Sequence, residues 1–222
     1  WAGVTKNDGN TNYVVGSAMG PITYREDGNK TVRSWVETGG SLNLAADETN
    51  DEGVEIVMAD GVNETLGDGW IVTGTTGGCF EATITITNIS ATDQVLMGWR
   101  KAEAFQAAND YQGYADWAVI GLRSTDGAIV ATGERAGGGT LTNDASGVTW
   151  ADGQSKTLKY CISSGRAVTA FVDGAAVTLT NSGGAGNLMT TAINMAPFVT
   201  YRHGAEAANA GVSVSRWSFI RQ

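Results

Sequence analysis

Residues 80–87 alternate in character: Phe80, Ala82, Ile84 and Ile86 are apolar, while Glu81, Thr83, Thr85 and Thr87 are polar. Successive side chains of a strand point to opposite faces, so this run reads as a half-buried strand. The same period runs through Val95, Met97 and Trp99, through Leu158, Tyr160 and Ile162, and through Val168, Ala170 and Val172. Val212 and Val214 alternate, then Trp217 and Phe219 take over in the opposite phase. That change predicts a bulge near Ser215–Arg216. Further strands are expected at 54–58, 70–73, 115–122, 127–132 and 196–202. Helix-type sequence is confined to Lys101–Ala108, about two turns, and Ala205–Ala210 reads equally as helix or loop.

Asp-Gly punctuates these runs at residues 8–9, 27–28, 60–61, 68–69, 126–127, 152–153 and 173–174. The dipeptide suits a tight hairpin turn. The chain has 31 Gly against 2 Pro, with the glycines in turn-like clusters and no collagen period. Many hairpins and almost no helix predict an all-β fold, an antiparallel β-sandwich of jelly-roll type. Residues 1–40 alternate poorly and carry four large aromatics, Trp1, Tyr13, Tyr24 and Trp35. They read as an N-terminal arm or small strand layer, with the sandwich spanning 41–222. Such aromatics need a surface to cover them, so the arm is expected to anchor the sandwich to its partner.

Lys plus Arg total 14 and Asp plus Glu total 23, a net charge of −9. That sign repels phosphates, and no basic stripe offsets it, so no nucleic-acid partner is expected. No segment approaches the ~20 apolar residues that span a bilayer, no secretory leader is visible, and no membrane partner is expected. The two cysteines, Cys79 and Cys161, both lie opposite the apolar phase of their strands. Two free thiols in a reducing compartment are the expectation, and a bridge between them is the alternative.

The segment from Trp150 through Ile162, followed by Arg166 through Gly174, is similar to a strand pair of laminin-G and concanavalin-like domains. A wider pattern covers about residues 42–220. It comprises Gly69-Trp70, Phe80–Ile86, Met97–Phe105, Asp110-Tyr111, Ala115–Gly121, Trp150–Gly153, Thr157-Leu158, Val172–Gly174, Pro197-Phe198, His203 and Arg216-Trp217. In order and spacing it resembles structural proteins of marine tailed phages, of virion decoration, fibre or appendage type. The resemblance implies a virion protein on the particle exterior, a location the acidic charge favours over the DNA side. It implies other virion proteins, capsid or appendage, as partners. Decoration modules sit on symmetry axes, so a homo-oligomer such as a trimer or small ring is expected.

Candidate chemistry is sparse. His203 is the only histidine, which removes His-based metal clusters and leaves one His for a nucleophile triad. Glycosidases of concanavalin-like fold carry clustered carboxylates as Glu-x-Asp-x-x-Glu, and nothing here matches. Glu103, Asp116 and Glu134 are isolated carboxylates, expected to be solvated or paired with Arg100, Lys101 or Arg135. The acidic segment Asp47–Gly53 lacks EF-hand spacing and reads as a solvated turn. Gly137–Gly139 has no following Lys-Ser/Thr and helix, so it is no phosphate loop. Trp99 and Trp217 share apolar phases and read as core, while Trp70 and Trp150 remain open between core and a sugar-binding groove. Trp117 is not oriented by its neighbours; with Tyr111 and Tyr114 it forms the candidate contact for surface glycans or a partner. The expectation is a non-enzymatic protein with no cofactor and no metal; a lectin-like module contacting cell-surface glycans is the alternative, and a polysaccharide-cleaving enzyme ranks last.

Overall fold

Alternating apolar runs of five to ten residues form strands because each can bury one face. The computed structural model describes residues 2–5, 12–17, 20–26, 35–38, 41–44, 53–58, 72–73, 75–103, 106, 111–135, 140–180, 193–204 and 211–222, with the backbone alone for those within 2–44 and for 140–143. The strands are β1 (Ala2–Thr5), β2 (Asn12–Ser17), β3 (Gly20–Glu26), β4 (Trp35–Thr38), β5 (Ser41–Leu44), β6 (Gly53–Val57), β7 (Gly78–Ile86) and β8 (Thr92–Lys101). They continue with β9 (Asp116–Leu122), β10 (Ala128–Arg135), β11 (Thr140–Thr149), β12 (Ser155–Ile162), β13 (Val168–Val172), β14 (Ala175–Val177), β15 (Met195–His203) and β16 (Val212–Arg221). Among the described residues the only helical piece is a 3-10 turn at Tyr111–Gly113.

The strands build two antiparallel sheets. One has nine strands in the order β1-β2-β3-β6-β15-β8-β9-β10-β11, the other seven in the order β14-β13-β12-β7-β16-β5-β4. The core lies between them: Val54, Ile56, Met97, Trp99 and Ile120 face Phe80, Ile84, Leu158, Tyr160 and Ile162. Full burial of each large apolar side chain contributes about 1.5–3 kcal/mol. Trp99 stitches the sheets together by donating its indole N–H to the Tyr160 carbonyl at 3.0 Å.

The β12–β13 hairpin pairs Leu158 with Val172 and Tyr160 with Ala170, as the alternation predicts. The register of β16 against β7 shifts between Val214 and Arg216, which is the predicted bulge. It turns Trp217 and Phe219 toward the core, and Phe219 meets Trp99 edge-on at 5.8 Å. Asp173-Gly174 forms the two-residue β13–β14 turn, both residues at left-handed φ of 49° and 83°. Asp152-Gly153 differs: it turns the corner from β11 in one sheet to β12 in the other. There the Asp152 carboxylate accepts the Ile89 N–H at 2.7 Å. The Asp-Gly pairs at 8–9, 27–28, 60–61 and 68–69 lie outside the described residues.

Three expectations are corrected. Lys101 does not open a helix: it ends β8, and the Ala102 N–H extends the ladder to the Asn194 carbonyl at 2.9 Å. Residues 104, 105, 107 and 108, and also 205–210, lie outside the described residues. Of the 70–73 strand, Val72 makes a single bridge to Met195 and Thr73 is outside any strand, while residues 70 and 71 lie outside the described residues. Cys79 and Cys161 are not free thiols but a disulfide, with Cα atoms 4.0 Å apart. The reason is register, because β12 pairs with β7 so that Cys161 stands directly opposite Cys79.

Within residues 2–38, the described strands β1, β2 and β3 join the nine-stranded sheet and β4 joins the seven-stranded one. Tyr13 pairs with Tyr24 across β2–β3, β3 pairs with β6, and Trp35 pairs with Leu44 across β4–β5. Trp1 and the side chains of Tyr13, Tyr24 and Trp35 lie outside what the structure describes.

Candidate functional site

One face of the nine-stranded sheet closes the core, and the other carries the polar chemistry. Alternation along β6 sends Glu55 and Val57 outward, β8 sends Gln94, Leu96 and Arg100, β9 sends Trp117 and Val119, and β15 sends Phe198 and Thr200. Gly98 and Gly121 also belong to this face, and at each an added Cβ would sit about 2 Å from a neighbouring strand's carbonyl oxygen. Only glycine lets the strands approach so closely.

Glu55 and Arg100 are both fully buried and form an ion pair, Arg100 Nε donating to Glu55 Oε1 at 2.6 Å. Arg100 Nη1 donates to the carbonyls of Lys101 and Glu103, each at 2.9 Å. Tyr114 reaches down from the segment before β9. Its hydroxyl lies 2.9 Å from both Glu55 carboxylate oxygens. Its ring lies under the Arg100 guanidinium, 4.1 Å from ring centre to Cζ. Burial, and then the negative charge of Glu55, pushes the Tyr114 phenol far above the ordinary tyrosine value. The phenol therefore stays protonated and serves as a donor to the carboxylate.

Tyr111 meets Trp117 edge-on at 4.8 Å, and Tyr114 meets Phe198 at 6.3 Å. Glu103 accepts the Ala115 N–H at 3.0 Å and pairs with Lys101 at 3.1 Å, as expected of that carboxylate. The three aromatic residues singled out in the sequence are thus brought together in one cluster. Their rings form a lid, with Tyr111, Tyr114 and Trp117 only 2–3% exposed. Sequence reasoning missed Glu55 and its pairing with Arg100. Inverted phase was the available signal, because Glu55 stands between Val54 and Ile56 in a buried strand.

The remaining candidates lie elsewhere. Glu134 is exposed, and Asp116 is buried at the start of β9. Burial lowers the Arg166 guanidinium below its ordinary value, and the charge of Asp116 offsets part of that. His203 is buried at the end of β15 with Nδ1 against the Gly204 carbonyl. Trp99 and Trp150 are core, Trp217 packs partly against it, and Trp70 lies outside the described residues. Residues 47–52 and 137–139 also lie outside them. Among the described residues no group of three or more His, Cys, Asp or Glu side chains could hold a metal, and no helix is long and apolar enough to cross a membrane.

The arrangement is a neutralised, hydrogen-bonded cluster. Its one central carboxylate is fully buried and is held by a cation and a phenol.

No known protein family profile matches the chain, and no curated protein matches its sequence. Solved structures do match in shape. A protein of unknown function from Shewanella oneidensis MR-1 superposes with a TM-score of 0.55 at 13% identity, over 90% of this chain and 77% of that one. The potassium-bound carbohydrate recognition domain of Emp46p gives 0.58 at 7% identity, over 90% and 88%. An alginate lyase from Corynebacterium sp. gives 0.51 at 11% identity, over 94% and 91%. Lectin domains and polysaccharide lyases share this architecture, and at such identities the likeness speaks for the fold alone. The chain is an all-β, concanavalin-like jelly-roll sandwich of two antiparallel sheets.

Proposed function

We propose that this protein is a non-enzymatic structural module of a phage particle, a capsid decoration or appendage module displayed on the exterior. The non-enzymatic part is carried by one observation: Glu55, the carboxylate at the centre of the polar sheet face, is fully buried and already engaged by Arg100 and Tyr114. A general acid or base must reach a substrate proton, and this one is sealed. The particle location is supported by the phage-type sequence pattern over about residues 42–220 and by the net charge of −9. In this reading residues 1 to about 40, with Trp1, Tyr13, Tyr24 and Trp35, carry the contact to other virion proteins, and the module is a homo-oligomer. The test is immunogold labelling of intact purified particles. Label on the outer surface supports the proposal, and absence of the chain from the particles overturns it.

A second reading, contact with surface glycans, is favoured by the lectin domains among the structural neighbours. A glycan array with the full chain separates the readings, since specific binding to surface glycans establishes the second.

A further inference from the structure

The disulfide occupies the outer face of the seven-stranded sheet, away from the core. Cys79 and Cys161 oppose each other on β7 and β12, strands joined along eight residue pairs from Ser155↔Thr85 to Ile162↔Gly78. That ladder sets the two cysteines directly opposite each other. The cysteines are 5% and 9% exposed. Gln222 lies against Cys79: its backbone exchanges two hydrogen bonds with Gly77, at 2.9 and 3.0 Å, and its side-chain amide donates to Cys79 Sγ at 3.4 Å. A small reductant reaches the sulfurs only when this cover opens.

We propose that Cys79 and Cys161 are a redox lock, closed in an oxidising environment and then shielded by Gln222. The ladder places the two thiols side by side. One, as thiolate, attacks a small-molecule disulfide of the oxidised glutathione class and releases one small thiol. The second thiolate then attacks the mixed disulfide and releases the other. Two electrons pass from the protein thiols to the small disulfide, and the two protons end on the released thiols. Formation after folding suits a chain made in a reducing compartment that works outside it.

The test uses the full chain. Rapid alkylation in producing cells should trap two thiols, and the same chain after release into oxidised glutathione should yield none. Two thiols after release, or none in the reducing cells, overturns the lock. Native-state reduction by dithiothreitol should be slow in the wild type and about fivefold faster in Gln222→Ala, the loss of one hydrogen bond in the cover. Equal rates overturn the shielding role.

Discussion

Replacing Glu55 with Leu removes a carboxylate that serves two buried partners. Arg100 then loses the carboxylate while its carbonyl contacts at Lys101 and Glu103 and the Tyr114 ring remain, and the Tyr114 hydroxyl loses its acceptor. Removing one partner of a buried ion pair costs about 3–5 kcal/mol, because the other charge is left uncompensated. The orphaned phenol alone costs about 1–3 kcal/mol, and the two losses overlap because they share one carboxylate. We expect a total near 4 kcal/mol. At about 2–4 °C per kcal/mol for a chain of this size, Tm falls by about 8–16 °C. The double variant Glu55→Leu with Arg100→Met should recover most of the loss, since an apolar pair of similar volume needs no partner. Thermal and urea unfolding followed by tryptophan fluorescence, run as a double-mutant cycle, measures both. A Glu55→Leu variant within about 1 kcal/mol of the wild type refutes a buried, neutralised carboxylate. It would mean that water reaches Glu55, and the sealed-face argument would fall with it.

Other outcomes follow from the same coordinates. The Cys79–Cys161 bond closes a sequence separation of 82 residues, so its reduction should lower stability by about 4–5 kcal/mol in the chain-entropy picture, read as a drop in the urea midpoint. Burial raises the phenols of Tyr114, Tyr160 and Tyr201 above their unfolded value. Raised values mean that the folded state holds these protons more tightly. Their contribution is complete below about pH 10 and is lost progressively as pH rises above it. The chain has six tyrosines; spectrophotometric titration should show these three phenols ionising only with alkaline unfolding, and more than three early-ionising phenols would contradict their burial. Gly98→Ala places a Cβ 2.0 Å from the Ala118 carbonyl oxygen, and it should cost at least about 1–3 kcal/mol by thermal melting.

The fold was legible wherever one strand face is buried and the other wet. Residues 80–87 and 158–162 show this, and even the bulge beyond Val214 was readable from the phase change to Trp217 and Phe219. The site was less legible because its members meet through pairing distant in sequence. Glu55 and Arg100 are 45 residues apart and become neighbours only because β15 lies between β6 and β8. Strands buried on both faces, such as β6 and β9, lose the alternation that orients side chains, and this left Trp117 without a direction. The disulfide escaped for a similar reason: β7 and β12 pair across 82 residues, and only their register sets Cys161 against Cys79. The Lys101–Ala108 stretch misled through alanine-rich composition, where ladder bonds from β15 decided the start of the segment.

The proposed function requires that the polar sheet face does no chemistry on saccharides. The most direct measurement incubates the purified chain with a broad panel of neutral and uronate polysaccharides, and follows reducing ends together with the ultraviolet absorbance of unsaturated products. We expect neither signal above that of buffer. Release of either product that disappears in Tyr114→Phe or Glu55→Gln would show that the Glu55–Arg100–Tyr114 cluster opens onto substrate, and would contradict the account.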